Sequence, residues 1–306
     1  MNFPSVLVLG ATGRIGRILR HCWQQVSPGQ GSLGDILWQR RARVANHPVT
    51  AALNWAVFDP LTDPLALTQA AQGRAAILCL AGVIPGRGSG QGAGGDDLEA
   101  NWHLAEAAIR AAATAGTPGG TRVLLASSAA VYGNQPGRLA ETTPLRPAND
   151  YGVAKAEMEQ RSAALAARLG VPLCALRIGN IAGIDAALGG WRPGFQLDQF
   201  ADGSTPQRSY IGGLDLARVL GDLLRHPGLP EVLNIAAPGL VQMGALLTAA
   251  GLDWVARPAP QTAIAQVELD CELLQGLSPL APADAVQMVT QWRILEPHTA
   301  REPEAK

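Results

Sequence analysis

Short apolar runs alternate with helix-length stretches along the first half of the chain. The runs are rich in Val, Ile and Leu, which is typical of parallel strands that are covered on both faces. The predicted strands are Ser5–Gly10, Ile36–Gln39, Asn54–Phe58, Ala75–Leu80, Arg122–Ala126 and Pro172–Ile178. The predicted helices are Gly13–Gln25, Pro64–Gln72, Asp96–Ala115 and Tyr151–Leu169. This order predicts an α/β fold with a doubly wound parallel sheet.

The second half of the chain is less regular. Helical patterns return near Asp215–Arg225 and Met243–Ala250, but the sequence after Val232 indicates only mixed α/β structure. The glycine-rich stretch Gly183–Thr205 also contains aromatic residues, and we expect it to cap a pocket with Trp191 as a candidate wall.

Two other segments interrupt the pattern. Pro85–Gly95 consists almost entirely of glycine and small residues, which predicts a mobile loop. The polar sequence after Pro297 predicts a frayed tail.

Composition excludes several function classes. The chain has 24 basic and 25 acidic residues, a net charge of -1, which gives no support for nucleic acid as the main partner. No segment resembles a secretory signal or a membrane span, so we expect a cytoplasmic protein without a membrane partner. The four cysteines and five histidines lack the spacing of a disulfide framework or a metal site, so no metal is expected.

The first predicted strand ends in the sequence GATGRIG, where three glycines have separate roles. Gly10 allows a tight turn, Gly13 allows the backbone to approach a pyrophosphate, and Gly16 allows the following helix to pack closely. The helix N-terminus then offers free N–H groups to phosphate oxygens. This spacing, between a strand and a helix, predicts a dinucleotide-binding turn.

The second predicted strand ends without the carboxylate that many NAD-binding units use for the ribose hydroxyls. Arg40 and Arg41 follow instead, and guanidinium groups suit a 2′-phosphate. NADP is therefore the preferred cofactor and NAD remains possible. The alternative is that both arginines are ordinary solvated charges.

A Tyr-x-x-x-Lys pattern opens the helix predicted at Tyr151–Leu169. Residues four apart share one helix face, so Lys155 can lie beneath the Tyr151 ring and favour its phenolate. The strand before it ends at Ser127 and Ser128, where a hydroxyl can bind a reacting oxygen. Glu141 and Glu159 are interpreted as structural, as a turn acceptor and part of a solvated helix face.

The chain resembles the extended short-chain dehydrogenase/reductase family, within the NAD-dependent epimerase/dehydratase group that includes UDP-galactose 4-epimerase. The motifs that carry the resemblance occur in family order over about two-thirds of the chain. They are GATGRIG, LAG at Leu80–Gly82, SSAAVYG at Ser127–Gly133, ETTPLRP at Glu141–Pro147, YGVAKAEME at Tyr151–Glu159, LRIGN at Leu176–Asn180 and RSYIGGLDLA at Arg208–Ala217.

The resemblance implies Tyr151 as the acid/base, Lys155 as its pKa partner and ribose ligand, and Ser128 as the catalytic serine. Together with the glycines and the two arginines discussed above, the expected cofactor site is made of Gly10, Thr12, Gly13, Arg14, Ile15, Gly16, Arg40, Arg41, Asp59, Pro60, Leu80, Ala81, Gly82, Asn101, Tyr151 and Lys155. The implied substrate ligands are Val83, Ser128, Asn180 and Arg208.

Two departures from the family pattern leave the substrate open. The stretch between Asn180 and Arg208 is short for a sugar-nucleotide epimerase, and Gly212 stands where the family has a histidine. The expected activity is hydride transfer at a hydroxyl or carbonyl carbon of a small or sugar-like substrate, as a reductase, epimerase or dehydratase. The alternative is a catalytically silent, NADP-sensing regulator.

We expect residues 1–179 to form the nucleotide-binding domain. Residues 180–306 would form mainly a substrate lobe, with 206–226 returning to the first domain. The resemblance also implies a homodimer built from the two long helices at Asp96–Ala115 and Tyr151–Leu169.

Overall fold

A seven-stranded parallel sheet forms the centre of the computed structural model, which describes residues 3–24, 35–41, 53–84, 97–117 and 119–299. The strand order is β12-β7-β5-β4-β1-β2-β3. Its strands are β1 (Val6–Leu9), β2 (Ile36–Arg40), β3 (Trp55–Val57), β4 (Ala76–Cys79), β5 (Arg122–Ser128), β7 (Leu173–Ile178) and β12 (Val232–Ile235). The predicted doubly wound α/β fold is confirmed.

Helices cover both faces of this sheet. Those before the last sheet strand are α1 (Arg14–Gln24), α2 (Pro64–Ala71), α3 (Ala100–Thr114), α4 (Asp150–Leu169) and α5 (Gly213–Arg225). Strand β1 shows how the faces divide: Val6 and Val8 enter one apolar core with Ile18 of α1, while Leu7 and Leu9 enter the other with residues of α3. Side chains that alternate across a doubly covered strand must all be apolar, which explains the continuous runs.

Helix ends follow local capping chemistry. The side chain of Asn149 accepts the Gly152 N–H at 2.8 Å at the start of α4, and the helix ends at Gly170 with φ +67°. Asp63 caps α2 in the same way, with Pro64 in the first turn. These caps place the two predicted helices within a residue or two of their expected bounds.

Short strands and three further helices build the second part of the molecule. They are β6 (Arg138–Leu139), β8 (Asn180–Ile181), β9 (Gln196–Gln199), β10 (Gln207–Arg208), β11 (Tyr210–Ile211), β13 (Val241–Gln242), α6 (Met243–Ala249), β14 (Val255–Pro258), β15 (Gln266–Leu269), α7 (Glu272–Leu277) and α8 (Ala285–Thr299). A third apolar core joins α6 and α8 to the segment that carries Trp191 and Phe195.

The central sheet continues beyond the segment 206–226 that was expected to return to it. Strand β12 pairs in parallel with β7 along Val232–Ile235, so it forms the edge of the sheet. The helix before it, α5, packs on α1. The chain therefore completes the central sheet after it has begun the second part of the molecule.

Helix α8 was not predicted from the sequence. It packs on α1, α5 and α6, and its Gln291 side chain accepts the N–H groups of Leu214 and Asp215 at 3.0 and 3.1 Å. The same amide donates to the Asp215 carboxylate at 2.6 Å. This helix therefore contacts both lobes and caps the start of α5.

The predicted loop Pro85–Gly95 lies outside the described residues, as does the end of the expected tail, 300–306. Within the ranges that the structure covers, no helix is both long and apolar enough to cross a membrane.

Candidate active site

The turn after β1 has room only for glycine at two positions. Gly10 adopts φ +80°, and a Cβ there would lie 2.6 Å from the Ala81 nitrogen. A Cβ on Gly16 would lie 2.4 Å from the Ala11 oxygen, because α1 packs directly on the turn. The Gly13 N–H donates to the Gly10 carbonyl at 2.9 Å. This tight turn leads straight into the helix N-terminus, as a pyrophosphate site requires.

Two arginines lie at this turn. Arg17 donates to the Thr12 carbonyl at 3.0 Å, and Arg14 donates to the carbonyl of Ile184 in the second lobe. Thr12 and Ile15 are half-buried beside them. The turn therefore carries positive charge and is tied to the second lobe through Arg14.

A polar side chain that the sequence analysis missed lies at the end of β2. Gln39 is 3% exposed; its Oε1 accepts the Gly10 N–H at 3.0 Å and its Nε2 donates to the Phe58 carbonyl at 2.6 Å. The signal was available, since Gln39 is a polar residue that directly follows the three apolar residues of β2. A neutral amide thus stands beside the first glycine, where a carboxylate would repel a phosphate.

The two predicted cofactor arginines follow Gln39. The Arg40 guanidinium lies over the Trp55 ring at 5.4 Å, and the exposed Arg41 is 3.8 Å from the Asp59 carboxylate. Asp59 also accepts the Leu61 N–H at 2.9 Å, so it closes the turn that contains the buried Pro60. The structure therefore brings Arg40, Arg41, Asp59 and Pro60 to one corner of the sheet.

The segment after β4 is held by Asn101, which is 1% exposed. Its Oδ1 accepts the Val83 N–H at 3.2 Å, and its Nδ2 donates to the Val83 carbonyl at 3.2 Å. A Cβ on Gly82 would lie 2.7 Å from Asn101 Oδ1 and 3.4 Å from Lys155 Nζ. Leu80 hydrogen-bonds β1 through its N–H, so Leu80–Val83 runs between the glycine-rich turn and Lys155.

The three predicted catalytic residues meet at the carboxyl end of β5. Ser128 closes the strand, and its side chain is close enough to Tyr151, near the start of α4, to lower the pKa of the tyrosine. Lys155 Nζ lies 5.9 Å from the centre of the Tyr151 ring and donates to the Ala126 carbonyl at 2.9 Å. A Cβ on Gly152 would lie 2.5 Å from the Ala130 oxygen, so glycine is required where α4 approaches the turn that follows β5.

Burial governs the protonation of these groups. It lowers the pKa of Lys155 from 10.5 to about 8, while the neighbouring Cys79 and Glu159 oppose this shift. Burial also raises the pKa of Tyr151, against the Ser128 hydrogen bond and the positive charge of Arg14. The role of Lys155 as the charge that favours the phenolate stays a prediction. The structure adds Arg14 as a nearby positive charge that lowers the Tyr151 pKa.

The two predicted substrate ligands of the second lobe lie in adjoining strands. β8 pairs with β11 so that Asn180 stands opposite Tyr210, and Arg208 precedes Tyr210 by two residues. The Asn180 side chain hydrogen-bonds the Tyr210 hydroxyl. Arg208 donates to the carbonyls of Gln207 at 2.7 Å and Ile264 at 2.8 Å.

Asp185 organises the loop between these ligands and the glycine-rich turn. Its carboxylate accepts the Tyr210 hydroxyl at 2.8 Å and the N–H groups of Ala187 and Leu188 at 3.0 and 3.3 Å. Ile184, which Arg14 contacts, belongs to the same loop. The sequence analysis missed Asp185, although an aspartate in a glycine-rich stretch is a turn signal.

Trp191 was expected in a pocket wall. Its indole N–H donates to the Asp253 carbonyl at 2.8 Å, and its ring packs with the third apolar core. This side chain is therefore engaged within the second lobe itself.

A parallel sheet with a glycine-only turn after its first strand defines a Rossmann-type nucleotide-binding protein. A model of the NAD dependent epimerase/dehydratase family matches residues 6–236, and the chain belongs to that family. No curated protein matches the sequence.

Solved structures show the same fold. A UDP-glucose 4-epimerase from Brucella ovis in complex with NAD superposes with a TM-score of 0.74 at 18% identity, covering 94% of this chain and 96% of that one. A UDP-glucose-4-epimerase from Stenotrophomonas maltophila, with bound NAD and formylated UDP-arabinopyranose, gives 0.73 at 20% identity, covering 96% and 99%. MoeE5 in complex with UDP-glucuronic acid and NAD gives 0.69 at 23% identity, covering 95% and 99%.

Proposed function

We propose that this chain is an NAD(P)-dependent oxidoreductase or epimerase that uses Tyr151 as its acid/base. The observation that carries the proposal is the meeting of Tyr151, Ser128 and Lys155 at the carboxyl end of β5. Ligands bind at this edge of doubly wound sheets. A protein that only sensed a nucleotide would have no need of a phenol, an amine and a hydroxyl together at that point.

The residues present fit a dinucleotide. The missing Cβ atoms of Gly10 and Gly16 leave a cradle that any other residue would fill, and α1 starts at it with no acidic residue in its first turn. Residues of the turn would hold the pyrophosphate, and Lys155 and Tyr151 the nicotinamide ribose. When bound, the cofactor supplies hydride acceptance and donation at its nicotinamide ring.

The chain's own residues then handle the proton. Tyr151 would take the proton from a substrate hydroxyl, or return it to a carbonyl oxygen, while Ser128 donates a hydrogen bond to that oxygen. The positive charge of Arg14 would favour the phenolate form of Tyr151, which takes up the substrate proton and is formed again when that proton is returned. Asn101 keeps the backbone at Val83 in place beside Lys155.

For the cofactor we propose NADP ahead of NAD. Gln39 leaves no carboxylate at the end of β2, and Arg40 and Arg41 lie at the same corner. The structural neighbours named above carry NAD, so NAD stays the competing cofactor.

For the substrate, the neighbours' sugar nucleotides and the placement of Asn180 next to the strand of Arg208 favour a nucleoside diphosphate-linked group. The competing substrate is a small carbonyl compound. Residues 180–306 would supply most of this site.

Turnover in the Tyr151→Phe variant tests the catalytic assignment. The protein is incubated with NADP⁺ or NAD⁺ and a panel of UDP-sugars, or with NADPH and small carbonyl compounds. Products are followed by NMR and absorbance. Because Tyr151→Phe removes the proton-transfer group but keeps the ring, turnover falls by about 10²–10⁴-fold while cofactor affinity is nearly unchanged.

Ser128→Ala should lose less turnover, since it removes one hydrogen bond to the reacting oxygen. Near-normal turnover of Tyr151→Phe would contradict the assignment. Tight cofactor binding without turnover of any substrate by the unmodified protein would favour the silent-sensor alternative.

A further inference from the structure

A buried network of charged and polar side chains lies behind the strand end that carries Ser128. Glu159 and Arg177, 6% and 5% exposed, pair through Arg177 Nη2 and Nε at 2.8 and 3.0 Å from Glu159 Oε2. The prediction of a solvated helix face for Glu159 is wrong, because that face of α4 packs against the sheet. Glu141 is likewise no turn acceptor, since its carboxylate accepts the Asn234 N–H at 2.9 Å.

Glu159 also contacts the active-site strand. Ser127 Oγ donates to Glu159 Oε1 at 2.5 Å, and Ser127 directly precedes Ser128. One helical turn earlier, Lys155 Nζ donates to the carbonyl of Ala126 at 2.9 Å. Two hydrogen bonds, one turn apart on α4, thus hold the helix to consecutive residues of β5. They set the offset between Tyr151 on the helix and Ser128 on the strand.

Arg177 anchors the network at its other end. Its Nη1 donates to the Tyr132 hydroxyl at 2.8 Å and to the Glu141 carbonyl at 2.9 Å. The Tyr132 hydroxyl lies 2.8 Å from Asn234 Oδ1, on the sheet strand β12. Several hydrogen bonds therefore fix the Glu159–Arg177 pair to the central sheet.

Stability alone does not account for an ion pair at this place. The cost of removing both charges from water offsets most of their attraction, and apolar side chains of similar volume would serve a core as well. The Glu159 charge also acts on Lys155, whose ammonium it favours against burial. The hydrogen bonds of this network end at β5, the strand that carries Ser128.

We propose that Glu159 and Arg177, acting through Ser127, are positioning residues that hold α4 against β5 and so place Tyr151, Lys155 and Ser128. This inference rests on the proposed catalytic role of those three residues. The network itself touches neither the cradle at Gly10 nor the predicted substrate ligands.

Ser127→Ala is the informative variant. Glu159→Gln would leave the Arg177 guanidinium buried without its counter-ion and is expected to fold poorly. Ser127→Ala removes only the bond between network and strand. Ser162→Ala is the matched control, because Ser162 is a buried serine on α4 whose hydroxyl has no hydrogen-bond partner in the described part of the chain.

The measurement is the pKa of Lys155 by NMR of carbon-13 lysine in the purified full-length protein. Lys155 and Lys306 are the two lysines of the sequence, so the spectrum holds two side-chain signals. Ser127→Ala removes the hydrogen bond from the Glu159 carboxylate and lets water reach Lys155. Both effects raise the pKa of Lys155, by about 0.5–1 pH unit. Ser162→Ala leaves the midpoint where it is.

An unchanged midpoint in Ser127→Ala with a lowered melting temperature would mean that the network is merely structural, and the inference would be overturned. Equal shifts in both serine variants would overturn it too, because they would report general loosening of α4. The readout needs no substrate, so it stands apart from failure of the proposed activity.

Discussion

Lys155 combines a charge with almost complete burial, two properties that oppose each other in a folded protein. It is one of two lysines in a chain whose other basic residues are arginines. An arginine cannot give up its proton near neutral pH, whereas burial brings the pKa of Lys155 to about 8. The site therefore contains an amine that can gain or lose its proton close to neutral pH.

Because Lys155 is buried, we expect it to lower the free energy of unfolding at neutral pH. Its folded pKa of about 8 lies below the ordinary 10.5, so between these values the unfolded chain binds more protons and stability rises with pH. Below pH 8 the full cost applies, on the order of 3 kcal/mol. We expect Lys155→Met to melt at or above the temperature of the unmodified protein at pH 7, although turnover is lost.

Thermal unfolding at pH 7 and pH 10 checks this expectation, and the advantage of Lys155→Met should shrink at the higher pH. If Lys155→Met were instead less stable than the unmodified protein, and more so at pH 7 than at pH 10, the buried amine would not be destabilising.

The arginines at the end of β2 lead to a second prediction at this scale. Arg40→Ala and Arg41→Ala should each weaken NADPH binding several-fold with little effect on NADH, because only NADPH carries the 2′-phosphate. Fluorescence titration with both cofactors measures this. Arg110→Ala, an exposed arginine paired with Glu106 on α3, serves as control. Equal affinities of the unmodified protein for the two cofactors would rule out the preference.

At the scale of elements, the site depends on how closely backbones approach one another. The glycine-rich turn lies against Leu80–Val83, and α4 lies against the residues that follow β5. A Cβ would clash at both places, so the geometry of the site depends on glycines, which have no side chain.

Gly10→Ala tests this point. Gly10 and Gly73 both have positive φ, but a Cβ on Gly10 meets the Ala81 nitrogen at 2.6 Å, whereas nothing lies within 4 Å of one on Gly73. Gly73→Ala should lower the free energy of unfolding only by the backbone strain, about 1 kcal/mol, and leave cofactor affinity unchanged. Gly10→Ala should cost more and abolish measurable cofactor binding. Melting curves and cofactor titrations compare the two, and similar behaviour would refute a steric requirement.

Elements with a single clear environment were predictable from the sequence. The six apolar runs became strands because both faces of the sheet are covered, and capping residues such as Asn149 marked helix starts. Helix α8 was missed because it contacts three other helices and contains Pro297, so it shows no single apolar stripe. Glu159 was misplaced because its partner Arg177 lies on another element, which local periodicity does not reveal.

The whole molecule consists of two lobes that are linked near the cofactor turn. Arg14 at the start of α1 reaches the Asp185 loop, and that loop is bonded to Tyr210, beside the strand of Arg208. A short series of direct contacts therefore connects the glycine-rich turn to the strand of Arg208.

If Arg208 holds a diphosphate, UDP should raise the melting temperature by about 2 °C or more at millimolar concentration, through ligand linkage. Arg208→Gln should abolish the rise. Arg257→Gln is the control within the same lobe, because Arg257 is an exposed arginine that pairs with Asp198. Absence of any shift in the unmodified protein would favour a small carbonyl substrate.

The packing of α8 has a consequence for synthesis on the ribosome. Helix α1 is made near the start of translation, yet one of the helices that covers it, α8, follows some 260 residues later. During that interval the apolar side of α1 and the N-terminus of α5 lack their final cover. The nascent chain thus offers chaperones a defined binding surface, and translation that stalls before Ala285 should release an aggregation-prone product rather than a smaller working enzyme.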